Sequence, residues 1–111
     1  MTEFWVRLDG ILSANRVVID RPKGSHHPHS PEVVYPLDYG YVEHTKSSDG
    51  HEIDVWRGTA GDDLVGIVCT VDIEKRDAEL KLLIGCSEDE IETVLRFHNN
   101  QFMSAIVVKR D

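Results

Sequence analysis

Two pairs of aspartates, Asp49 with Asp54 and Asp72 with Asp77, each span five residues, and Glu74 and Glu79 lie close to the second pair. Carboxylate oxygens are hard ligands, and Mg2+ takes them in octahedral geometry completed by water and substrate phosphate. Brought to one face of a curved sheet, such acids could hold two ions about 4 Å apart, lowering the pKa of a shared water and polarising a phosphoryl group for in-line attack. In an acidic chain the same residues also serve as solvated or turn-capping groups. The groups able to meet phosphate are Lys23, Lys75 and Arg76, and, once protonated, His27, His29 and His98. His26, His27 and His29 lie in a Pro-rich loop without helical or strand spacing, a poor template for a transition-metal site. Cys69 and Cys86 stand 17 positions apart with no second Cys near either. They fit neither a disulfide framework nor a paired-thiolate zinc site, and are read as buried, reduced thiols.

The elements that must position these groups come from a chain of 111 residues, 41% apolar, with 12 Lys and Arg against 20 Asp and Glu and a net charge of −8. That length predicts one domain over residues 1–111. The acidic balance argues against a nucleic-acid partner, because such affinity comes from Lys and Arg neutralising phosphates. No apolar run approaches the roughly 20 residues needed to cross a bilayer. The opening Met1-Thr2-Glu3-Phe4-Trp5 carries no basic stretch before an apolar core, so a cytoplasmic, membrane-free protein is expected.

Phe4, Trp5, Leu8, Ile11 and Leu12 recur at three and four residues and predict an amphipathic helix from Glu3 to Leu12. Arg16 to Arg21 reads as a strand stopped by Pro22, followed by a His- and Pro-rich loop. Val33–Tyr35 and Tyr41–Val42 read as extended pieces around a turn at Pro36–Gly40, where Gly40 is free to adopt positive φ. A turn at Asp49-Gly50 leads into Glu52–Arg57, whose alternation sets Asp54 and Trp56 opposite Ile53 and Val55. Leu64–Ile73 and Ala78–Ile84 form a predicted hairpin. Ser87-Glu88-Asp89-Glu90 has the form of a capping box opening a helix near residues 88–99, and Phe102–Lys109 is a final strand. Trp5 and Trp56 are read as core residues. The pattern predicts a mainly β chain, either a small barrel or a highly curved sheet.

Three segments carry a family resemblance: Val18-Ile19-Asp20-Arg21-Pro22-Lys23-Gly24-Ser25, Tyr35-Pro36-Leu37-Asp38-Tyr39-Gly40-Tyr41 and Asp49-Gly50-His51-Glu52-Ile53-Asp54-Val55. In that order and spacing they resemble the family I soluble inorganic pyrophosphatases, with the likeness running over residues 16–84. The resemblance implies an OB-like five-stranded barrel, Mg2+ as cofactor, and hydrolysis of pyrophosphate to two phosphates. It assigns Asp49 and Asp54 to the activating metal and Asp20 to an outer metal held through water. Asp72 and Asp77 keep the spacing of the family's second metal-binding pair. Tyr39 and Lys81 match its phosphate-contacting tyrosine and lysine, although alignment on Lys81 sets Glu74 and Glu79 over the second pair instead.

The chain also departs from the family. His51 stands where the family has the aspartate that helps deprotonate the attacking water, and an imidazole, with an unperturbed pKa near about 6.5, suits that role. The strand pair bearing the family's phosphate-binding arginine is missing, and Phe97-His98-Asn99-Asn100-Gln101 replaces a Tyr-Lys pair. The expectation is therefore a Mg2+-dependent diphosphatase using Tyr39, His51, Asp54 and Lys81, with Asp20, Asp49, Asp54, Asp72 and Asp77 as metal ligands. Two alternatives stand beside it: a phosphohydrolase acting on another phosphoanhydride or phosphoester, and a non-catalytic metal- or phosphate-binding module. So small a barrel with two tryptophans is also compatible with a homo-oligomer.

Overall fold

The structure is a computed structural model that describes residues 2–110. In chain order it forms α1 (Thr2–Ala14), β1 (Val17–Arg21), β2 (Asp38–Val42), β3 (Ile53–Arg57), β4 (Leu64–Asp72), β5 (Asp77–Ile84), α2 (Glu88–Phe97) and β6 (Met103–Lys109). The strands make one sheet in the order β1-β2-β3-β5-β4-β6. Every neighbouring pair is antiparallel except β3 and β5. That parallel pair arises because the chain leaving β3 passes over to β4 and the hairpin returns β5 into the gap. The crossing is tight: Gly85 has φ +59, and a Cβ there would stand 1.9 Å from the Gly61 carbonyl oxygen.

Strand alternation divides the core in two. Val55, Leu82 and Ile67 pack under Trp5 and Leu8 of α1. Their chain neighbours Trp56, Leu83 and Val68 pack with Ile91 and Val94 of α2. A period of two along the strands thus supplies both cores, one under each helix. Trp5 and Trp56 are buried, as expected of core residues. No helix among the described residues is long and apolar enough to cross a membrane.

The class is mainly β, but the sheet has six strands where five were expected, and it does not close into a barrel because β1 and β6 remain its two ends. Neither end is a clean edge. β1 is five residues long, shifts register between Ile19 and Arg21, and runs into Pro22. On β6 the Ala105 N–H donates to the Asn99 side chain at 3.3 Å. Such devices keep a strand edge from taking another strand.

Helix α1 runs two residues beyond the expected Leu12, and the Asn15 side chain donates to the Ile11 carbonyl at 2.9 Å, satisfying an end carbonyl. The capping box of α2 forms in both directions: Ser87 Oγ accepts from Glu90 N at 3.2 Å, and Glu90 Oε1 accepts from Ser87 N at 2.9 Å. Two expectations fail. Val33–Tyr35 is no strand; it meets His26 through one isolated bridge, and the 22–37 loop is tied by Gly24 N to Tyr35 O at 2.8 Å and Tyr35 N to Ser25 O at 3.0 Å. Gly40 lies inside β2 and is absent from the positive-φ residues. Its glycine is required by close approach instead, since a Cβ would stand 1.8 Å from the Val18 carbonyl oxygen of β1.

Candidate functional site

β2, β3 and β5 lie side by side, and their register sets Tyr41 opposite Asp54 and Asp54 opposite Lys81. Alternation then places Tyr39, Tyr41, Asp54, Glu79 and Lys81 on the α2 face, beyond the part the helix covers. The Lys81 ammonium is buried, and its Nζ lies 2.9 Å from each of Tyr39 OH, Asp54 Oδ2 and Glu79 Oε2. Three acceptors match the three N–H groups of an ammonium. Tyr39 in turn donates its hydroxyl proton to Asp54 Oδ2 at 2.5 Å. Burial alone would lower the lysine pKa, but the adjacent Tyr39 oxygen and Asp54 carboxylate outweigh it and hold it above the usual lysine range. Burial pushes the Tyr39 phenol up, with Asp54 adding to the effect against the opposing pull of Lys81, so the phenol keeps its proton. The cluster thus contains a fixed cation, two carboxylates and a phenol.

Behind it, the Trp56 Nε1–H donates to His98 Nε2 at 2.9 Å, and the Trp56 ring meets Tyr39 edge-on at 4.6 Å. Indole is a donor only, so His98 Nε2 is the bare nitrogen and Nδ1 carries the hydrogen toward Met103 Sδ at 3.3 Å. Burial, helped by the positive Lys81, pushes the His98 imidazole down to about 4, which removes it from the cations available to phosphate. In front of the cluster opens a cleft of about 900 Å³. Its rim includes Asp20, Arg21, His27, His51 and Lys75.

Of the residues singled out in the sequence, Tyr39, Asp54 and Lys81 come into direct hydrogen-bond contact. Asp20 and His51 line the same cleft, and both are exposed. Asp49 accepts the His51 N–H at 2.9 Å within the connection from β2 to β3, and does not line the cleft. Asp72 and Asp77 are cross-strand partners at the β4–β5 tip, beside a separate cavity of about 690 Å³. There Asp72 Oδ1 accepts the N–H groups of Glu74 and Lys75 at 3.0 and 2.9 Å, a turn-capping role. The carboxylate that reaches Lys81 from this hairpin is Glu79, the residue that alignment on Lys81 selects.

Among the described residues no three His, Cys, Asp or Glu side chains are grouped to hold a metal ion. The carboxylates that do face one another, Asp54 and Glu79, share Lys81 as counter-ion. No family model, curated protein or solved structure matches this chain. The site therefore rests on its own geometry and on the motifs.

Two features escaped the sequence reading. One is the Trp56–His98 pair, whose members are 42 residues apart. The other is Arg21. Had β1 continued regularly, Asp20 would sit opposite Tyr39; the register shift gives that place to Arg21 and turns the guanidinium into the cleft. The one available signal was the Pro after Arg21, which marks a strand end where irregular pairing is common. The histidine loop forms no shared centre: His26 Nδ1 contacts the Pro31 carbonyl at 2.6 Å, and His27 Nδ1 accepts the His29 N–H at 3.1 Å. Both cysteines are free, Cys69 half-buried and Cys86 buried. Burial pushes the Cys86 thiol up to about 11, away from nucleophilic use.

Proposed function

We propose that the chain hydrolyses pyrophosphate in the cleft before Lys81, with Mg2+ entering as part of the substrate. The supporting observation is convergence. Tyr39, Asp54 and Lys81, from three strands and separated by up to 42 residues, share one set of hydrogen bonds at the foot of an open cleft. The motifs assign Tyr39 and Lys81 to phosphate and Asp54 to the activating metal.

In this reading Lys81 and Tyr39 orient a phosphoryl oxygen, and His51 on the rim takes the proton of the attacking water. A new P–O bond forms on one phosphorus while the bridging P–O bond breaks, and the departing phosphate keeps the bonding electrons. Preorganised donors act most strongly in a site from which bulk water is partly excluded, as burial of Lys81 provides. Because all three Lys81 N–H groups are occupied, a phosphate oxygen must displace one acceptor to reach it.

The same occupancy favours a second reading, a binding module in which phosphate is held without turnover. Asp49, Asp72 and Asp77, outside the cleft, point the same way. The test is phosphate release from pyrophosphate with Mg2+, with and without chelator, alongside thermal unfolding. Turnover that chelator and Asp54→Asn both abolish supports the hydrolase. Stabilisation by Mg2+ and pyrophosphate without phosphate release supports the binding module, since a ligand that binds only the folded state raises its stability.

A further inference from the structure

Two neighbouring tyrosine rings, 5.3 Å apart between centres, each carry a cation. Lys81 Nζ lies 5.4 Å from the Tyr39 ring centre, and Arg21 Cζ lies 5.5 Å from that of Tyr35. Both cations line the one cleft. They differ in what the fold leaves open. The three Lys81 N–H groups are taken, whereas the Arg21 guanidinium donates one Nη1–H to the Tyr35 hydroxyl and has no other acceptor among the described residues. A guanidinium carries five N–H donors in a planar fork that matches two phosphate oxygens. Lys75 borders the same pole of the cleft, and so does His27, whose ring stacks on Tyr35 at 6.3 Å. Arg21 and Lys75 make this pole of the cleft cationic, and burial together with the nearby Arg21 lowers the His27 pKa. The acids nearest to it, Asp20 and Glu32, are exposed to solvent.

We infer that Arg21 binds a second phosphoryl group, so that the cleft selects substrates in which two phosphoryl groups are joined over monophosphate esters. The inference rests on the hydrolase reading for its inner phosphate position at Lys81. One end of a diphosphate meets the Lys81 cluster, and the other meets the open donors of Arg21, with Lys75 adding charge. A monophosphate leaves Arg21 unengaged.

Titration calorimetry with Mg2+ and two probes, inorganic phosphate and non-hydrolysable methylenediphosphonate, tests the assignment. The wild-type chain is expected to bind the diphosphonate at least about tenfold more tightly than phosphate, the effect of one additional charge-assisted contact. Arg21→Gln is expected to bring the two probes to parity while leaving phosphate affinity unchanged, which also shows that the inner site is intact. Arg21→Lys keeps the charge but loses the fork, and is expected to retain part of the preference. Equal binding of both probes by the wild-type chain overturns the inference and leaves the hydrolase reading standing. Equal loss of both probes in Arg21→Gln and Arg21→Lys also overturns it, because Arg21 then serves the fold and no second position. Absence of binding by the wild-type chain removes the hydrolase reading together with the inference.

Discussion

Acidification from pH 7 to pH 4 is expected to weaken the fold through one side chain, His98. In the folded chain its Nε2 accepts from Trp56 and cannot also hold a proton, and burial lowers its pKa from 6.5 to about 4. Once unfolded, the imidazole titrates at its ordinary value, so between these pH values the unfolded chain binds a proton that the folded chain refuses. Stability from this group is therefore complete above pH 6.5 and is lost as pH falls toward about 4. At about 1.4 kcal/mol per pH unit, the gap corresponds to about 3 kcal/mol. Other groups also respond to acid, so the measurement is a difference. Urea unfolding of the wild type and of His98→Gln, whose amide oxygen can accept from Trp56 but does not titrate, is compared at pH 7 and pH 4. The wild type is expected to lose about 3 kcal/mol more than the variant over this interval. An equal loss in both proteins would refute the reasoning, as would an NMR titration showing the His98 ring protonated above pH 6.

Lys81→Met leaves Asp54 and Glu79 facing each other without their cation, and is expected to destabilise the fold by about 3 kcal/mol; partial exposure of both acids keeps the value at the low end for a broken buried pair. A urea midpoint unchanged from wild type would contradict the assignment of Lys81 as their shared counter-ion. Gly40→Ala places a Cβ against the Val18 carbonyl and is expected to cost at least about 3 kcal/mol or prevent soluble expression; wild-type thermal stability in this variant would show that β1 is not packed as described. Ser87→Ala removes one half of the α2 capping box and is expected to cost about 1 kcal/mol by chemical denaturation, without altering the ligand affinities of the cleft.

Local chemistry made much of the fold readable. Apolar spacing located both helices, the Ser87–Glu90 pattern located the start of α2, and alternation around Asp54 and Trp56 assigned the two faces of β3. What the sequence left open were the relations between distant segments. The parallel pairing of β3 with β5 depends on a crossing through Gly58–Gly61, where nothing local distinguishes it from a simple hairpin continuation. Gly40 looked like a turn residue because a missing Cβ serves close approach and positive φ alike. At the site, Tyr39, Asp54 and Lys81 were legible through their motifs, while the hairpin register was not: two acids five apart occur as Asp72 and Asp77 and again as Glu74 and Glu79. The structure places Glu79 on Lys81 and Asp72 over a turn. Arg21 was hidden because one irregular residue in β1 exchanges the face of everything after it.

The central claim is that a phosphate ligand binds against the Tyr39–Asp54–Lys81 cluster. Amide NMR shift mapping on isotope-labelled protein, titrated with methylenediphosphonate and Mg2+, tests it most directly. Shifts concentrated at Arg21, Tyr39, Asp54 and Lys81 are expected. Shifts confined to the β4–β5 tip around Asp72 and Asp77, or none anywhere, would contradict it.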